Sequence, residues 1–359
     1  MTAVDAHGRE VLGGGGVLPV EVHALGAELR RLWETTGDPA GTDSTAVTRT
    51  CTRNVIVLCH DTDAARAAAT LVAGVADRYP SRAFIVRLDG DGPPDRLEAT
   101  LEAQCLVRAG GRQMCCEQIV LAVGAAAGRR AASAIVPLLV PDLPVFVWSM
   151  DALPDWDDEL LVRLLDVADR VLVDSRGVPD PAALLADLAL HERRDRWSPA
   201  DFEWARLADW REAVAMLFED PSLAARPPVV ERVTVRHGRP GASAAALLAG
   251  WVLDRLEAAG ERSAVAVSFE ATAGEGGVEG LGIELAGGFR LEAERAPDGG
   301  TLRLGIAAPD ACALPGRVPC DEASVERLLE DLLAAHAEEP IYERALARAA
   351  TLLAGEFKA

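Results

Sequence analysis

The sequence predicts two domains, an α/β domain with a mostly parallel sheet followed by an α+β domain. Short apolar runs alternate with helical periodicity in the first half, which is typical of a parallel sheet covered by helices on both faces. A strictly alternating segment interrupts that order and predicts an inserted antiparallel hairpin. In the second half, several strand-like segments follow one another between helices. At 359 residues, the chain is also longer than one core usually organises.

Residues 1–49 are expected to form a tail and one helix. Residues 1–16 end in a glycine run at positions 13–16, which predicts that they form a disordered tail. Residues 18–35 place apolar side chains near helical spacing, which predicts the helix. The first residues lack a basic start followed by an apolar core, so no secretory signal is expected there.

Residues 50–176 are expected to form the α/β domain. The residues Asp61, Thr62 and Asp63 are suitable N-caps for its first helix, and Pro137 should distort or end its second helix. Gly110-Gly111 should turn the hairpin. The predicted strands lie at 54–59, 81–88, 97–107, 113–123, 144–148 and 170–174, and the predicted helices at 63–79, 126–139 and 157–168.

Residues 177–200 are expected to be a linker region and residues 201–359 the α+β domain. Ser198 as N-cap and Pro199 at the first position predict a long helix over 198–220. The other predicted helices lie at 181–190, 243–258, 322–335 and 340–354, and the predicted strands at 229–237, 264–270, 278–286, 288–296 and 300–307.

Composition excludes several classes of protein. With 36 basic and 56 acidic residues the net charge is −20, and such a surface repels nucleic acid and anionic lipid. No apolar run is long enough to span a membrane. The seven cysteines show no repeated CxxC spacing, which argues against a disulfide framework and a structural zinc site. We therefore expect a reduced, cytoplasmic protein.

Catalytic and cofactor signatures are missing from the sequence. The first predicted strand is followed by CHDTDAARA rather than a glycine-rich dinucleotide or phosphate loop. No histidine falls in an HExxH motif, and no GxSxG elbow is present. We therefore predict no cofactor, no metal and no catalytic residue.

The carboxyl ends of the predicted parallel strands are where a ligand would bind in such a sheet. They carry His60, Trp148 and the run Asp174-Ser175-Arg176. Two interpretations of that run remain open. It could contact a ligand, or Asp174 or Ser175 could cap the following helix by accepting backbone hydrogen bonds.

The run Cys115-Cys116-Glu117 lies within a predicted strand. Adjacent strand residues face opposite sides, and a disulfide between neighbours would be distorted, so the two thiols should act separately. Each is either a redox group or a small buried side chain. Glu117 is either paired with Arg129 or Arg130, or part of a binding site.

Trp197, Trp204 and Trp210 lie close together in the sequence. Aromatic side chains of this size usually build a core, although exposed tryptophans are typical of protein interfaces. Both roles remain open for Trp204 and Trp210, which we retain as candidate partner contacts.

Five segments in order resemble the OpcA family, the glucose-6-phosphate dehydrogenase assembly proteins. They are CCEQI from Cys115, VPLLVPDLPVFVW from Val136, VADRVLVDSR from Val167, DFEWARLADWREAVAMLFED from Asp201 and ALLAGWVLDRL from Ala246. The resemblance implies a non-catalytic protein that binds glucose-6-phosphate dehydrogenase, helps it reach its active oligomer and raises its activity. In photosynthetic members it also implies a link to thioredoxin. The alternative is an enzyme or metabolite sensor that binds a sugar phosphate at the strand ends.

Overall fold

The computed structural model describes residues 2–4, 10–13, 18–36, 47–107, 113–192, 197–219, 223, 229–260, 265–308, 311–312, 316–335 and 339–356. The turn predicted at Gly110-Gly111 and positions 14–16 lie outside these residues. The predicted disordered tail is wrong for Thr2–Val4 and Glu10–Gly13, because these segments pair as strands. The described strands are β1 Thr2–Val4, β2 Glu10–Gly13, β3 Leu18–Val20, β4 Val47–Arg49, β5 Arg53–Cys59, β6 Ser81–Asp89, β7 Leu97–Val107, β8 Gln113–Gly124, β9 Val145–Ser149, β10 Arg170–Val173, β11 Ser198–Asp201, β12 Val230–His237, β13 Ala266–Ala271, β14 Val278–Leu285, β15 Phe289–Arg295, β16 Thr301–Ala308, β17 Ala311–Cys312 and β18 Gly316–Pro319.

The α-helices of the same residues follow the periodicity of the sequence. They are α1 Leu25–Thr36, α2 Thr62–Val75, α3 Gly128–Ile135, α4 Glu159–Leu165, α5 Pro181–Glu192, α6 Phe202–Arg206, α7 Ala208–Phe218, α8 Ala242–Ala258, α9 Val325–Ala334 and α10 Pro340–Glu356. None of them is long and apolar enough to cross a membrane.

The chain forms two compact units, each assembled from separate stretches. Unit 1 contains Met1–Val173, Arg196–Ala200 and Val325–Ala337, and unit 2 contains Asp174–Asp195, Asp201–Ser324 and Glu338–Ala359. Unit 1 is α/β and unit 2 is a sheet with helices, so the predicted fold class is confirmed.

Unit 1 is built on one mixed sheet. Among the described strands its order is β1-β2-β7-β8-β6-β5-β9-β10-β11, with β3 also pairing β7 and β4 pairing β8. Strands β8, β6, β5, β9 and β10 run parallel. Strands β7 and β8 are antiparallel from Leu97 opposite Val123 to Val107 opposite Gln113, which confirms the predicted hairpin.

Strand β5 lies at the centre of this sheet, between β6 and β9. Every residue of it is buried, because neighbouring strands cover both edges and helices pack on a parallel sheet of this kind. Helix α2 packs on β5 and β6. Asp61 caps this helix by accepting a hydrogen bond from the Ala64 amide at 2.7 Å, as the sequence predicted.

Unit 2 is built on a smaller sheet of order β13-β12-β14-β15-β16-β17, with β18 also pairing β16, among the strands that the structure describes. Strands β12 and β13 are parallel, and the other pairs are antiparallel. Val233, Val235, Ile283 and Leu291 lie on one face and are fully buried. Helix α8 packs on β12 and β13, and α10 packs on α8.

The predicted helix over 198–220 is wrong in its first turn. Residues Ser198–Asp201 form strand β11, because the Ser198 amide donates to the Asp169 carbonyl oxygen at 2.9 Å. The helix begins at Phe202 and is capped by Asp201 rather than Ser198. The predicted single helix is also divided into two, since α6 ends at Arg206 and α7 begins at Ala208. Strand pairing between distant segments therefore overrides a local capping pattern.

Two other predicted helices differ in their ends. Leu18–Val20 pairs with β7 as a strand, so the first helix begins only at Leu25. Helix α3 ends at Ile135 and passes into a 3₁₀ turn that contains Pro137. That ending was predicted from the proline, which cannot donate the next helical hydrogen bond.

Candidate functional site

The candidate residues lie in four places. Cys115, Cys116 and Glu117 are in strand β8, and Trp148 is near the end of β9, beside the loop after β5. Asp174, Ser175 and Arg176 belong to a partly buried cluster of unit 2, and Trp204 and Trp210 belong to the interior of the same unit.

Glu117 is buried in unit 1 and paired with an arginine. Its side chain is 4% exposed, and it lies opposite Arg82 of the neighbouring strand β6. The Arg82 guanidinium donates to the Glu117 carboxylate and to the Leu138 carbonyl oxygen. This partner offsets the cost of burying the carboxylate.

The predicted pairing of Glu117 with Arg129 or Arg130 is wrong. Arg129 pairs with Glu159 at 2.8 Å, and Arg130 donates to the Asp95 carbonyl oxygen. Both arginines lie at the start of α3, whereas Arg82 lies on a strand that is hydrogen-bonded to β8. The interpretation of Glu117 as half of a structural ion pair agrees with this geometry.

Cys116 is buried, and its thiol lies 3.8 Å from the carbonyl oxygen of Thr50, the residue that follows strand β4. Burial raises the pKa of this thiol to about 12. Because the thiolate is the reactive form, Cys116 is a poor nucleophile at neutral pH in this conformation. The backbone of Cys115 pairs with Cys105 of β7, and the side chain of Cys115 lies outside the described part of the chain.

The loops after β5 and β9 meet at a point where the strand order reverses direction. Strands β5 and β9 are adjacent and parallel, and the chain continues from β5 to β6 on the other side. The carboxylate of Asp151 accepts a hydrogen bond from the His60 amide at 2.8 Å and lies 3.0 Å from the His60 Nδ1. Ligands of open α/β sheets usually bind at such a point.

The electrostatics of this edge favour a cation over an anion. Asp61 and Asp63 follow His60 in the sequence, and Asp151 faces it. The Asp151 carboxylate orients the His60 imidazole through this contact. Trp148, at 3% exposure, lies in the interior of unit 1.

A cluster of acids and arginines, some buried and some exposed, lies in unit 2 around the predicted run Asp174-Ser175-Arg176. We define the acid–arginine cluster by its members: Asp174, Arg176, Asp201, Glu203, Arg206 and Glu322. Arg206 makes two hydrogen bonds to the Asp174 carboxylate, at 2.7 and 2.8 Å. Arg206 is 3.5 Å from Glu203.

Arg176 links the buried and exposed members of the acid–arginine cluster. Its guanidinium lies 3.6 Å from Glu203 and donates to Glu322 at 2.7 Å. The Asp201 carboxylate accepts hydrogen bonds from the backbone amides of Ser175 and Glu203, at 3.1 and 2.9 Å. Within unit 2, the cluster therefore joins the segment Asp174–Arg176 to the start of α6 through several charge-assisted hydrogen bonds.

Burial shifts the titration of two carboxyl groups in this cluster. It raises the pKa of Asp201 to about 6, against the hydrogen bonds from Ser175 and Glu203. It also raises the pKa of Glu203 to about 7, although Arg206 lies beside it. In contrast, the hydrogen bond from Arg176 lowers the pKa of Glu322. The cluster therefore holds carboxyl groups that exchange protons near neutral pH.

The structure does not show the interpretation that Asp174 or Ser175 caps the next helix. Asp174 accepts a local hydrogen bond from the Arg176 amide at 3.1 Å. Helix α5 begins later, at Pro181, and Asp180 accepts from the Ala183 amide at 2.9 Å. Asp174 is instead the main partner of Arg206.

Trp204 and Trp210 lie in the core of unit 2, at 2% and 1% exposure. The Trp204 indole donates to Glu339 at 2.6 Å, and the Arg211 guanidinium lies 3.7 Å from its ring centroid. Trp197 is also buried and stacks on Trp156 in unit 1. The core interpretation of these tryptophans is confirmed. Because Trp204 and Trp210 are buried in the core, their side chains are not exposed for contact with a partner protein.

The sequence missed the residues that complete these sites. From the sequence, Asp201 was named only as the start of a family segment, and Glu203, Arg206 and Arg82 were not singled out. The spacing of Glu203 and Arg206 on a predicted helix was the available signal, because residues three apart lie on one helix face. Among the described residues, no group of three or more His, Cys, Asp or Glu side chains could hold a metal ion.

Two family models match the chain in consecutive segments. The model described as the N-terminal domain of a glucose-6-phosphate dehydrogenase subunit matches residues 72–190. The model described as the C-terminal domain of such a subunit matches residues 198–346. The two matches together extend over most of both units.

Curated relatives match a shorter part of the chain. A protein of Nostoc punctiforme, provisionally named OxPP cycle protein OpcA, is 33% identical over 186 residues, which are 51% of this chain and 39% of that protein. A protein of Synechocystis sp. with the same provisional name is 31% identical over 163 residues, 45% of this chain and 34% of that protein. The matches thus span well under half the length of these relatives.

Solved structures resemble the chain only loosely. A dehydrogenase from Chromobacterium violaceum aligns over 85% of this chain and 94% of that chain, with 10% identity and a TM-score of 0.44. An oxidoreductase from Sinorhizobium meliloti gives 9% identity and a TM-score of 0.41, over 86% of this chain and 90% of that chain. Similarity at this level carries no argument about activity.

Proposed function

Because this chain belongs to the OpcA family of glucose-6-phosphate dehydrogenase assembly proteins, we propose that it is a non-catalytic assembly factor and allosteric activator of that enzyme. The observation that carries the proposal is the pair of family matches, at 72–190 and 198–346, in consecutive order. Its partner would be glucose-6-phosphate dehydrogenase of the oxidative pentose phosphate pathway. The place of action would be the cytoplasm.

Activation by a bound protein requires a difference in affinity. The chain must bind the active oligomer of the dehydrogenase more tightly than its inactive forms, since equal binding shifts no equilibrium. A coupling free energy of ~1–3 kcal/mol would change the apparent affinity or activity of the enzyme by several-fold to about a hundredfold. The strongly acidic composition favours a partner surface with basic patches.

The test is to mix the purified chain with the dehydrogenase from the same source. We expect a complex by size-exclusion chromatography with light scattering, and a lower KM or higher kcat of the dehydrogenase in its presence. The chain alone should not reduce NADP. Binding without any kinetic change would support the role in assembly and contradict the role as an activator. The absence of both binding and a kinetic change would contradict the whole proposal.

A small-molecule site at the His60 edge is the second candidate. The position of the His60–Asp151 pair at the reversal of strand order favours it, but the carboxylates there oppose a sugar phosphate. Thermal-shift measurements with sugar phosphates would decide. Stabilisation that is lost in His60→Ala would support this site, and no stabilisation by any of them would remove it.

A further inference from the structure

Strand β13 forms one edge of the sheet in unit 2. It pairs in parallel with β12, from Ala266 beside Arg232 to Ala271 beside His237, without a register shift. On its other side no described strand pairs with it. Backbone N–H and C=O groups of alternate residues therefore point away from the sheet, which makes β13 a template for another strand.

Three other edge strands of the described chain contain a proline, which β13 lacks. Strand β3 contains Pro19, β11 contains Pro199, and β18 contains Pro319. Proline removes a donor from the exposed edge and blocks the addition of a strand. The sequence of β13, AVSFEA, contains neither proline nor lysine. The edge at β13 therefore lacks the proline that blocks strand addition at β3, β11 and β18.

Two apolar side chains of β13 are incompletely covered. Val267 and Phe269 lie beside Val233 and Val235 on the inner face of the sheet. Val233 and Val235 are fully buried, whereas Val267 and Phe269 are only half-buried. One more strand beyond β13 would cover both side chains, because same-face neighbours on adjacent strands pack together.

We propose that a second copy of this chain covers this edge by pairing its own β13 antiparallel, about a two-fold axis at Ser268. In this register Val267 lies opposite Phe269 of the second copy on the inner face. On the outer face Ser268 lies opposite its own equivalent, and Glu270 lies opposite Ala266. Apolar side chains meet apolar ones and no like charges meet, so the edge is its own complement.

The register is constrained by the alternation of side chains. Directly opposite residues of an antiparallel pair face the same side, so the axis must pass through a residue and not between two. An axis at Phe269 would place Val267 opposite the small Ala271 instead. The axis at Ser268 covers both half-buried apolar side chains with large apolar partners, and this is why the geometry points to it.

The outer-face position of Ser268 is independently fixed. Its hydroxyl lies 3.0 Å from that of Thr234 on β12, which is on the outer face of the sheet. A cysteine at 268 would therefore stand on the solvent face beside the axis, close to its equivalent. A cysteine at 234 would stand one strand further away on each side, beyond the reach of a disulfide.

The experiment is oxidative cross-linking of the full chain. Ser268→Cys should give a covalent dimer, whereas Thr234→Cys and the unsubstituted chain, which carries the same native cysteines, should not. Sedimentation velocity should show a monomer–dimer equilibrium that depends on concentration. Phe269→Lys, which puts a charge on the inner edge, should abolish the dimer while circular dichroism is retained.

These experiments test the dimer independently of the proposed binding to glucose-6-phosphate dehydrogenase, since none of them requires that enzyme. A monomer at every concentration together with no Ser268→Cys cross-link would overturn the dimer. Cross-linking of Phe269→Cys but not of Ser268→Cys would overturn the axis. If Phe269→Lys fails to fold, Ser268→Cys and its control Thr234→Cys still test whether the dimer forms through β13. A dimer that persists in a folded Phe269→Lys variant would place the interface elsewhere.

Discussion

Unit 1 and unit 2 both bury carboxylates, but they balance them differently. In unit 1, Glu117 faces Arg82 on the adjacent strand. In unit 2, Asp174 and Glu203 share Arg206, and Glu203 and Glu322 share Arg176. Asp201 in the same cluster accepts hydrogen bonds from the backbone amides of Ser175 and Glu203. The first arrangement has one cation for one anion, whereas the second has more carboxylates than arginines.

The difference shows where the charge of a buried carboxylate is balanced by an arginine and where it can be neutralised by protonation. In unit 2, burial raises the pKa of Glu203 to about 7, so protonation at neutral pH costs this group little. The Glu117–Arg82 pair is joined directly in the interior. We therefore expect the loss of an arginine to be more harmful in unit 1 than in unit 2.

The largest effect is predicted for Arg82→Ala. It leaves the Glu117 carboxylate buried without its arginine, and breaking a buried pair in this way costs about 3–5 kcal/mol of unfolding free energy. Urea unfolding followed by far-UV circular dichroism measures the loss. The double variant Arg82→Met, Glu117→Met should recover most of it, because it removes both charges and retains volume.

The exposed pair Arg129–Glu159 is the matched control for that variant. Its side chains are 69% and 52% exposed, and pairs of this kind contribute about 0–1 kcal/mol. Arg129→Ala should therefore leave the urea midpoint nearly unchanged. Equal losses in Arg82→Ala and Arg129→Ala would show that the burial of Glu117 does not determine the cost.

A smaller effect is predicted for Arg206→Ala in the acid–arginine cluster. The Asp174 carboxylate is partly exposed and can be hydrated, and Glu203 keeps Arg176 at 3.6 Å. We expect a loss of about 1–3 kcal/mol, since the cluster can take up a proton in place of the lost cation. The loss should be larger at pH 8 than at pH 6. A loss that is independent of pH would contradict proton uptake.

Local patterns predicted much of the fold but not these charge arrangements. The Asp61 cap, the β7–β8 hairpin and the helix end before Pro137 follow from residues close together in the sequence. The partner of Glu117 depends on which strand lies beside β8, and the chain places β6 there through a crossover. The strand at Ser198 depends in the same way on Asp169. Long-range strand order is not encoded in periodicity.

The smallest effect is predicted for the pH dependence of Glu203→Gln. This prediction tests most directly how unit 2 differs from unit 1 in balancing a buried carboxylate. The pKa of Glu203 is raised from 4.5 to about 7 by burial. Between about pH 4 and about pH 7 the folded chain therefore keeps a proton that the unfolded chain has lost, so this group's contribution to stability falls as pH rises. Glutamine is neutral throughout. Relative to the unsubstituted chain, the variant should gain about 1–2 kcal/mol between pH 5 and pH 8 in urea unfolding.

Glu322→Gln provides the control of opposite sign in the same cluster. The hydrogen bond from Arg176 lowers the pKa of Glu322, so its contribution is present above the unfolded pKa and is lost as pH falls through the folded value. Its side chain is 71% exposed, and water therefore screens the pair. Glu322→Gln should consequently bring no gain at pH 8. If both glutamine variants gain equally at high pH, general repulsion in this acidic chain explains the slope, and the burial of Glu203 does not.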